Sequence, residues 1–177
     1  MTKHIILIGF KCVGKSVIGR ELARQLECRF IDLDEEIEKS YFRKNDKNLT
    51  CRQIMLSEGQ DAFRKLEHEV LVKVLKLPVF GVISLGGGAV MYKPSRELIV
   101  THTVIEVTAP KNIVFERIMV RGRPAFFSPD EHPLDSFNRI WQERAPVYSQ
   151  LTKYKINNSG SLQQAVDEIK SIINQLI

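Results

Sequence analysis

The octapeptide GFKCVGKS, residues Gly9 to Ser16, constrains this chain more than any other feature. Gly9, Gly14, Lys15 and Ser16 meet the pattern GxxxxGK[ST]. Four aliphatic residues, Ile5 to Ile8, run into it and read as a buried parallel strand ended by glycine. KSVIGRELARQLE follows, with Val17, Ile18, Leu22 and Leu26 on one helical face. In that setting the glycines let the backbone curl, so that successive N–H groups point inward at phosphate oxygens. The helix that starts at the loop turns its positive end toward the same anion. Lys15 brings an ammonium to the outer phosphates, and Ser16 can place its hydroxyl on Mg²⁺. A chance match to the pattern in a chain of this size is on the order of one in a hundred, and the flanking strand and helix make chance a poor account. The segment is therefore read as a nucleotide-binding loop, with Gly9, Val13, Gly14, Lys15, Ser16 and Val17 as its nucleotide contacts. Lys11 and Cys12 within it are read as incidental.

The remaining pattern fixes the class. Short apolar runs at CRFIDLD, VFGVISLGGGAV, THTVIEVTA and KYKIN predict four more strands. Helical patterns separate them: EEIEKSYFRK, a long stretch over 50–77 broken at Gly59 and stopped before Pro78, KNIVFERIMV, LDSFNRIWQERAPVYSQL, and a terminal amphipathic segment from Ser161. Strands alternating with helices imply an α/β fold, three layers α/β/α, with a five-stranded parallel sheet covered on both faces. Residues 121–131, inside RGRPAFFSPDEHP, lack any pattern and read as an exposed, mobile lid. No repeat, linker or low-complexity segment interrupts residues 1–177, which form a single domain in this reading; 177 residues suit one core.

Composition narrows the partners. The net charge is +5, from 26 Lys and Arg against 21 Asp and Glu. The basic residues are scattered and form no stripe, which favours a pocket for small anions over nucleic acid. Cys12, Cys28 and Cys51 are widely spaced with no CxxC, against a zinc site or a disulfide framework and in keeping with a reducing, cytoplasmic setting. The N-terminal apolar run is read as a strand and not a signal peptide, and no stretch approaches the roughly 18 apolar residues a membrane span needs.

Phosphoryl transfer needs metal ligands, a group to orient the attacking oxygen, and positive charge for the transition state. FIDLD offers Asp32 and Asp34 at the carboxyl end of the second strand, where ligands bind in parallel sheets. Their i, i+2 spacing aims both the same way if the strand continues; Asp34 could equally cap the following helix, and the two roles are compatible. FRKLE places Arg64 and Glu67 at i, i+3 on a helix, locally an ordinary ion pair. LGGGAV puts Gly86, Gly87 and Gly88 after the third strand, suited to close approach of a ligand or to a tight turn. RGRPAF holds Arg121 and Arg123 in the lid, where mobile arginines can close on phosphate or simply be solvated. ERAPVY places Arg144 near a helix end, with Pro146 after it.

In order, GFKCVGKS, DLDEEIE, FRKLE, LGGGAV, RGRPAF and ERAPVY resemble the shikimate kinases, which are P-loop proteins of the nucleoside-monophosphate-kinase-like group. The resemblance covers nearly the whole chain. It implies the P-loop kinase fold, a monomer, and transfer of the γ-phosphoryl group of ATP to the 3-hydroxyl of shikimate, a step of aromatic amino-acid biosynthesis. It implies that Lys15 and the loop backbone hold the ATP phosphates, and that Ser16 ligates Mg²⁺ with Asp32 acting through water. Asp34 would bind the shikimate hydroxyls and take the proton of the attacking one. Arg64 and Arg144 would bind the carboxylate, Glu67 would position Arg64, Gly86 to Gly88 would line the shikimate site, and Arg123 would reach in from the lid. Planar guanidinium forks suit a carboxylate substrate.

The chain departs from the family at three places. Val17 stands where Ser or Thr is usual, RPAF replaces RPLL, and ERAPVY replaces ERxPLY. Two other readings share the loop: a related small-molecule kinase such as a gluconate kinase, and a nucleotide-binding module without transfer activity. Retention of Lys15, both aspartates and the lid arginine speaks against the second. A GTPase would carry NKxD, which is missing.

Overall fold

The computed structural model describes residues 3–176. Its centre is a sheet of five parallel strands in the order β2-β3-β1-β4-β5. They are β1 (Ile5–Ile8), β2 (Arg29–Asp32), β3 (Gly81–Ser84), β4 (Thr103–Thr108) and β5 (Lys155–Asn157). Eight helices connect and follow them: α1 (Lys15–Gln25), α2 (Leu33–Asn45), α3 (Cys51–Glu58), α4 (Gln60–Leu75), α5 (Lys93–Ile99), α6 (Lys111–Val120), α7 (Pro133–Leu151) and α8 (Leu162–Asn174). Every residue of β1 and β3 is buried, as expected of central strands covered on both faces.

The strand order dictates where a ligand can go. From β1 the chain crosses to β2 at one edge, then returns through β3 and onward to β4 and β5 at the other. Right-handed crossovers put α1 on one face and the later connections on the opposite face. The connections leaving β1 and β3, which are neighbours, therefore diverge, and their carboxyl ends open a crevice. The glycine loop leaves β1 there and the glycine run leaves β3. Ser84, the last residue of β3, is in register with Leu7 on one side and Asp32 on the other.

Several helix ends follow from local sequence. Thr50 and Gln53 make a capping box on α3, as do Ser161 and Gln164 on α8. Gly59 divides α3 from α4, as its place in the pattern predicts. Three readings need correction. Strand β2 stops at Asp32 and α2 begins at Leu33, so the two aspartates do not alternate along a strand. Asp32 is the helix cap, its carboxylate accepting from the Asp34 backbone N–H at 3.1 Å, which leaves the Asp34 side chain uncommitted to capping. Helix α7 runs through Pro146 to Leu151, as its pattern predicts, which sets Arg144 well inside the helix and not near its end. Lys93–Ile99, absent from the sequence reading, is helical, with Pro94 in its first turn, where proline costs no hydrogen bond. The C-terminal end of the last segment, Ile177, lies outside the described residues.

Candidate active site

A cavity of about 200 Å³ opens over the carboxyl ends of β1, β2 and β3. Lys15, Ser16, Asp32, Asp34, Arg64, Gly86, Gly87, Gly88 and Arg144 all line it, so residues from five separate stretches of sequence meet in one cleft. Gly9, Val13, Gly14 and Val17 do not line the cavity. Gly9 and Val13 act through their carbonyls, Gly14 caps α1 with a φ of 105°, and Val17 is 60% exposed on the first turn of α1. Cys12 also has positive φ, at 66°, part of the curl that turns the loop amides inward.

Lys15 is buried, and its ammonium donates to the carbonyls of Gly9 at 2.9 Å and Phe10 at 2.8 Å. Burial lowers its pKa to about 8, although the charges of Asp34 and Asp32 oppose the shift. Next to it, Ser16 donates to the Asp32 carboxylate at 2.6 Å, and Ser84 Oγ lies 3.5 Å from Ser16 Oγ. This is a cluster of hard oxygen donors at the start of α1, the donor chemistry Mg²⁺ prefers. Among the described residues no group of three His, Cys, Asp or Glu is placed to hold a metal. A Mg²⁺ held by one carboxylate, one hydroxyl, water and nucleotide phosphates needs no such group.

The other half of the cleft is cationic over an acidic floor. Arg64 donates to Glu67, an ion pair across one turn of α4 with Glu67 only 1% exposed. Burial raises Glu67 to about 7, with Arg64 pulling the other way. Burial, reinforced by Asp32, also raises the carboxyl of Asp34, and Lys15 partly offsets it. Arg144 is buried, and its guanidinium donates to the Gly87 carbonyl at 3.3 Å and lies over the Phe126 ring at 4.9 Å. Burial pushes it below its ordinary value.

The glycine run is explained by these neighbours. A Cβ on Gly88 would lie 2.0 Å from Arg64 Nη2, and one on Gly86 would lie 2.7 Å from Asp34 Oδ1. Side chains at those positions would displace the groups that line the cleft.

Arg123 stands apart from the rest. Its guanidinium donates to the carbonyls of Ser128 and Glu131, within the lid itself, and it does not line the cavity, whereas Arg121 does. The lid is also less exposed than its composition suggests: Phe127 is buried, and the Glu131 carboxylate accepts from Ser136 at 2.6 Å and Arg139 at 2.8 Å on α7.

Three contacts escaped the sequence reading. Tyr148 donates its hydroxyl to the Gly87 carbonyl, pinning α7 to the glycine run; its place four residues after Arg144 on one helical face was the available signal. Ser84 had only its position before the glycines. Asn158, beyond β5, donates to the Val13 carbonyl at 2.8 Å and holds the phosphate loop from the opposite end of the chain, a contact no local pattern announces.

Comparison with known proteins places this chain in a family. The family model described as shikimate kinase matches residues 11–174. The shikimate kinase of Corynebacterium efficiens is 34% identical over 168 residues, covering 93% of each chain. The structure of the shikimate kinase of Acinetobacter baumannii in complex with shikimate superposes with a TM-score of 0.84 at 28% identity, covering 99% of this chain and 94% of that one. A gluconokinase from Sinorhizobium meliloti shares the fold, with a TM-score of 0.63, but only 14% of the sequence. With its nucleotide loop, its paired arginines and a family match over nearly its whole length, this chain belongs to the shikimate kinases, enzymes that are ATP-dependent small-molecule kinases.

Proposed function

We propose that this chain transfers the γ-phosphoryl group of ATP to the 3-hydroxyl of shikimate, with the residues of this one cleft in the following roles. The observation that carries the reading is the meeting of Lys15, Asp34, Arg64 and Arg144 around a single cavity. The loop amides and Lys15 bind the ATP phosphates; Lys15 exchanges its bonds to Gly9 and Phe10 for phosphate oxygens, which restores a full partner to a buried ammonium. Arg64 and Arg144 clamp the shikimate carboxylate, with Glu67 orienting Arg64 and Gly87 and Tyr148 orienting Arg144. Asp34 accepts the proton of the attacking hydroxyl. Burial raises its pKa, with Lys15 partly offsetting the shift, which makes it a stronger base than an ordinary carboxylate.

Ser16 and Asp32 are the residues that would hold Mg²⁺, which when bound neutralises charge on the β- and γ-phosphates. The lid closes over the cleft and excludes water, which otherwise competes with the acceptor. Arg123 then either turns inward or braces the lid through Ser128 and Glu131. The same reading has the enzyme acting as a cytoplasmic monomer; among the described residues no helix is long and apolar enough to cross a membrane.

The test is ADP release at fixed Mg·ATP, with shikimate, gluconate and quinate compared as acceptors. Release that depends on shikimate is expected. Release with gluconate alone, or equally without any acceptor, would overturn the assignment of Arg64 and Arg144 to shikimate.

A further inference from the structure

We propose that Lys11 is a second cation for the group in transfer, its ammonium engaging the γ-phosphoryl oxygens on the side that faces the acceptor. This rests on the kinase reading of the cleft and adds a residue to it.

The position of Lys11 is the first ground. It lines the cleft together with Lys15, Asp34 and Arg64. Its backbone nitrogen lies 2.9 Å from where a Cβ on Gly87 would stand, so the phosphate loop touches the glycine run at this residue. The side chain therefore leaves the backbone at the seam between the nucleotide half of the cleft and the acceptor half. Its ammonium stands 5.9 Å from the centroid of the Phe126 ring, on the lid. Arg144 lies over the same ring, so lid closure over Phe126 moves against both cations at once.

The second ground is that Lys11 is free where Lys15 is not. Lys15 is buried and spends its hydrogen bonds on Gly9 and Phe10. Lys11 is exposed, and among the described residues no carboxylate or carbonyl accepts from its Nζ. Its charge is felt on both sides of the transfer path: it lowers the proton affinity of Lys15 and that of Asp34. A cation set between the phosphate anchor and the proton acceptor is placed to offset charge that spreads over the γ-phosphoryl oxygens in the transition state.

In the step itself the acceptor oxygen forms its bond to the γ-phosphorus as the bond from phosphorus to the ADP oxygen breaks. The acceptor proton passes to Asp34. Lys11 keeps its protons throughout and contributes charge and hydrogen bonds only.

Lys11→Met separates this role from packing, because the methionine stem still covers Phe126 while the charge is gone. The probe is Mg·ADP with and without aluminium fluoride, in the presence of shikimate, followed by calorimetry. The fluoride mimics the phosphoryl group in flight. The wild type should bind ADP more tightly with the fluoride. Lys11→Met should bind Mg·ADP alone within about twofold of the wild type, and the fluoride assembly roughly tenfold or more weakly. Its kcat should fall by a similar factor with the shikimate KM nearly unchanged, and Lys11→Arg should recover most of both. Equal binding of both ligands by Lys11→Met and wild type would overturn the proposal. So would an equal loss for ADP with and without fluoride, which would make Lys11 a ground-state nucleotide contact. A wild type that gains nothing from the fluoride would instead overturn the kinase reading beneath it.

Discussion

Replacing Glu67 by Gln should flatten part of the dependence of stability on pH. Glu67 is 1% exposed, and it carries the ion pair to Arg64. Burial, with Asp34 adding to it and Arg64 and Arg144 opposing it, raises its pKa from 4.5 to about 7. Between those two values the unfolded chain has released this proton while the folded chain still holds it. Stability therefore falls as pH rises across the window and levels off above 7. At about 1.4 kcal/mol per pH unit, the gap corresponds to about 3 kcal/mol. Glutamine does not titrate, and it keeps an amide oxygen for Arg64. Trp141, the single tryptophan, packs against Phe10 and Phe137 and provides a fluorescence probe of urea unfolding. The unfolding free energy of the wild type should drop by about 3 kcal/mol more than that of Glu67→Gln between pH 4.5 and 7.5. Acid-sensitive surface pairs elsewhere contribute equally to both proteins and cancel in the difference. Parallel curves, within about 0.5 kcal/mol, would refute the claim that burial raises this carboxyl above its value in the unfolded chain.

Two further outcomes follow from the geometry. Gly88→Ala should raise the shikimate KM roughly tenfold by displacing the Arg64 guanidinium, and lower the melting temperature, because that guanidinium is the partner of buried Glu67; an unchanged KM would detach Arg64 from substrate binding. Since burial lowers Lys15 to about 8, its charge in the free enzyme is present below that pH and lost above it, so kcat/KM for ATP should decline as pH passes through 8 toward 9.5. A flat profile over that range would contradict the role of Lys15.

Much of this was legible because the signals are local. A strand, a glycine loop and a helix follow one another within Ile5–Gln25, and each reports itself through period or composition. The strand count and the division at Gly59 were likewise written in turn residues and apolar runs. The mistakes arose where two local signals competed. Asp32 and Asp34 both have cap chemistry, and only the backbone decides that Asp32 takes it, freeing Asp34 for the cleft. Pro146 alone would suggest a helix stop, yet the apolar pattern runs on through it, and α7 does extend to Leu151, with Tyr148 in the buried face beyond the proline. What the sequence could not announce was convergence. Arg64 and Glu67 look like a surface pair until α4 is set against the glycine run, where burial alters their charge balance. Asn158 reaches Val13 across 145 positions, and Lys11 gains its setting only when Gly87 and Phe126 arrive from elsewhere in the chain. Arg123 is the reverse case: its motif points to the phosphate, while its hydrogen bonds stay within the lid.

The central claim is that Asp34, released from capping and raised by burial, takes the proton of the attacking hydroxyl in a cleft already built to hold both substrates. The most direct test is Asp34→Asn, with shikimate binding measured by calorimetry and transfer measured in a single turnover from ATP. Binding should weaken only modestly while the transfer rate falls roughly 10²- to 10⁴-fold. A variant that transfers at the wild-type rate would contradict the account.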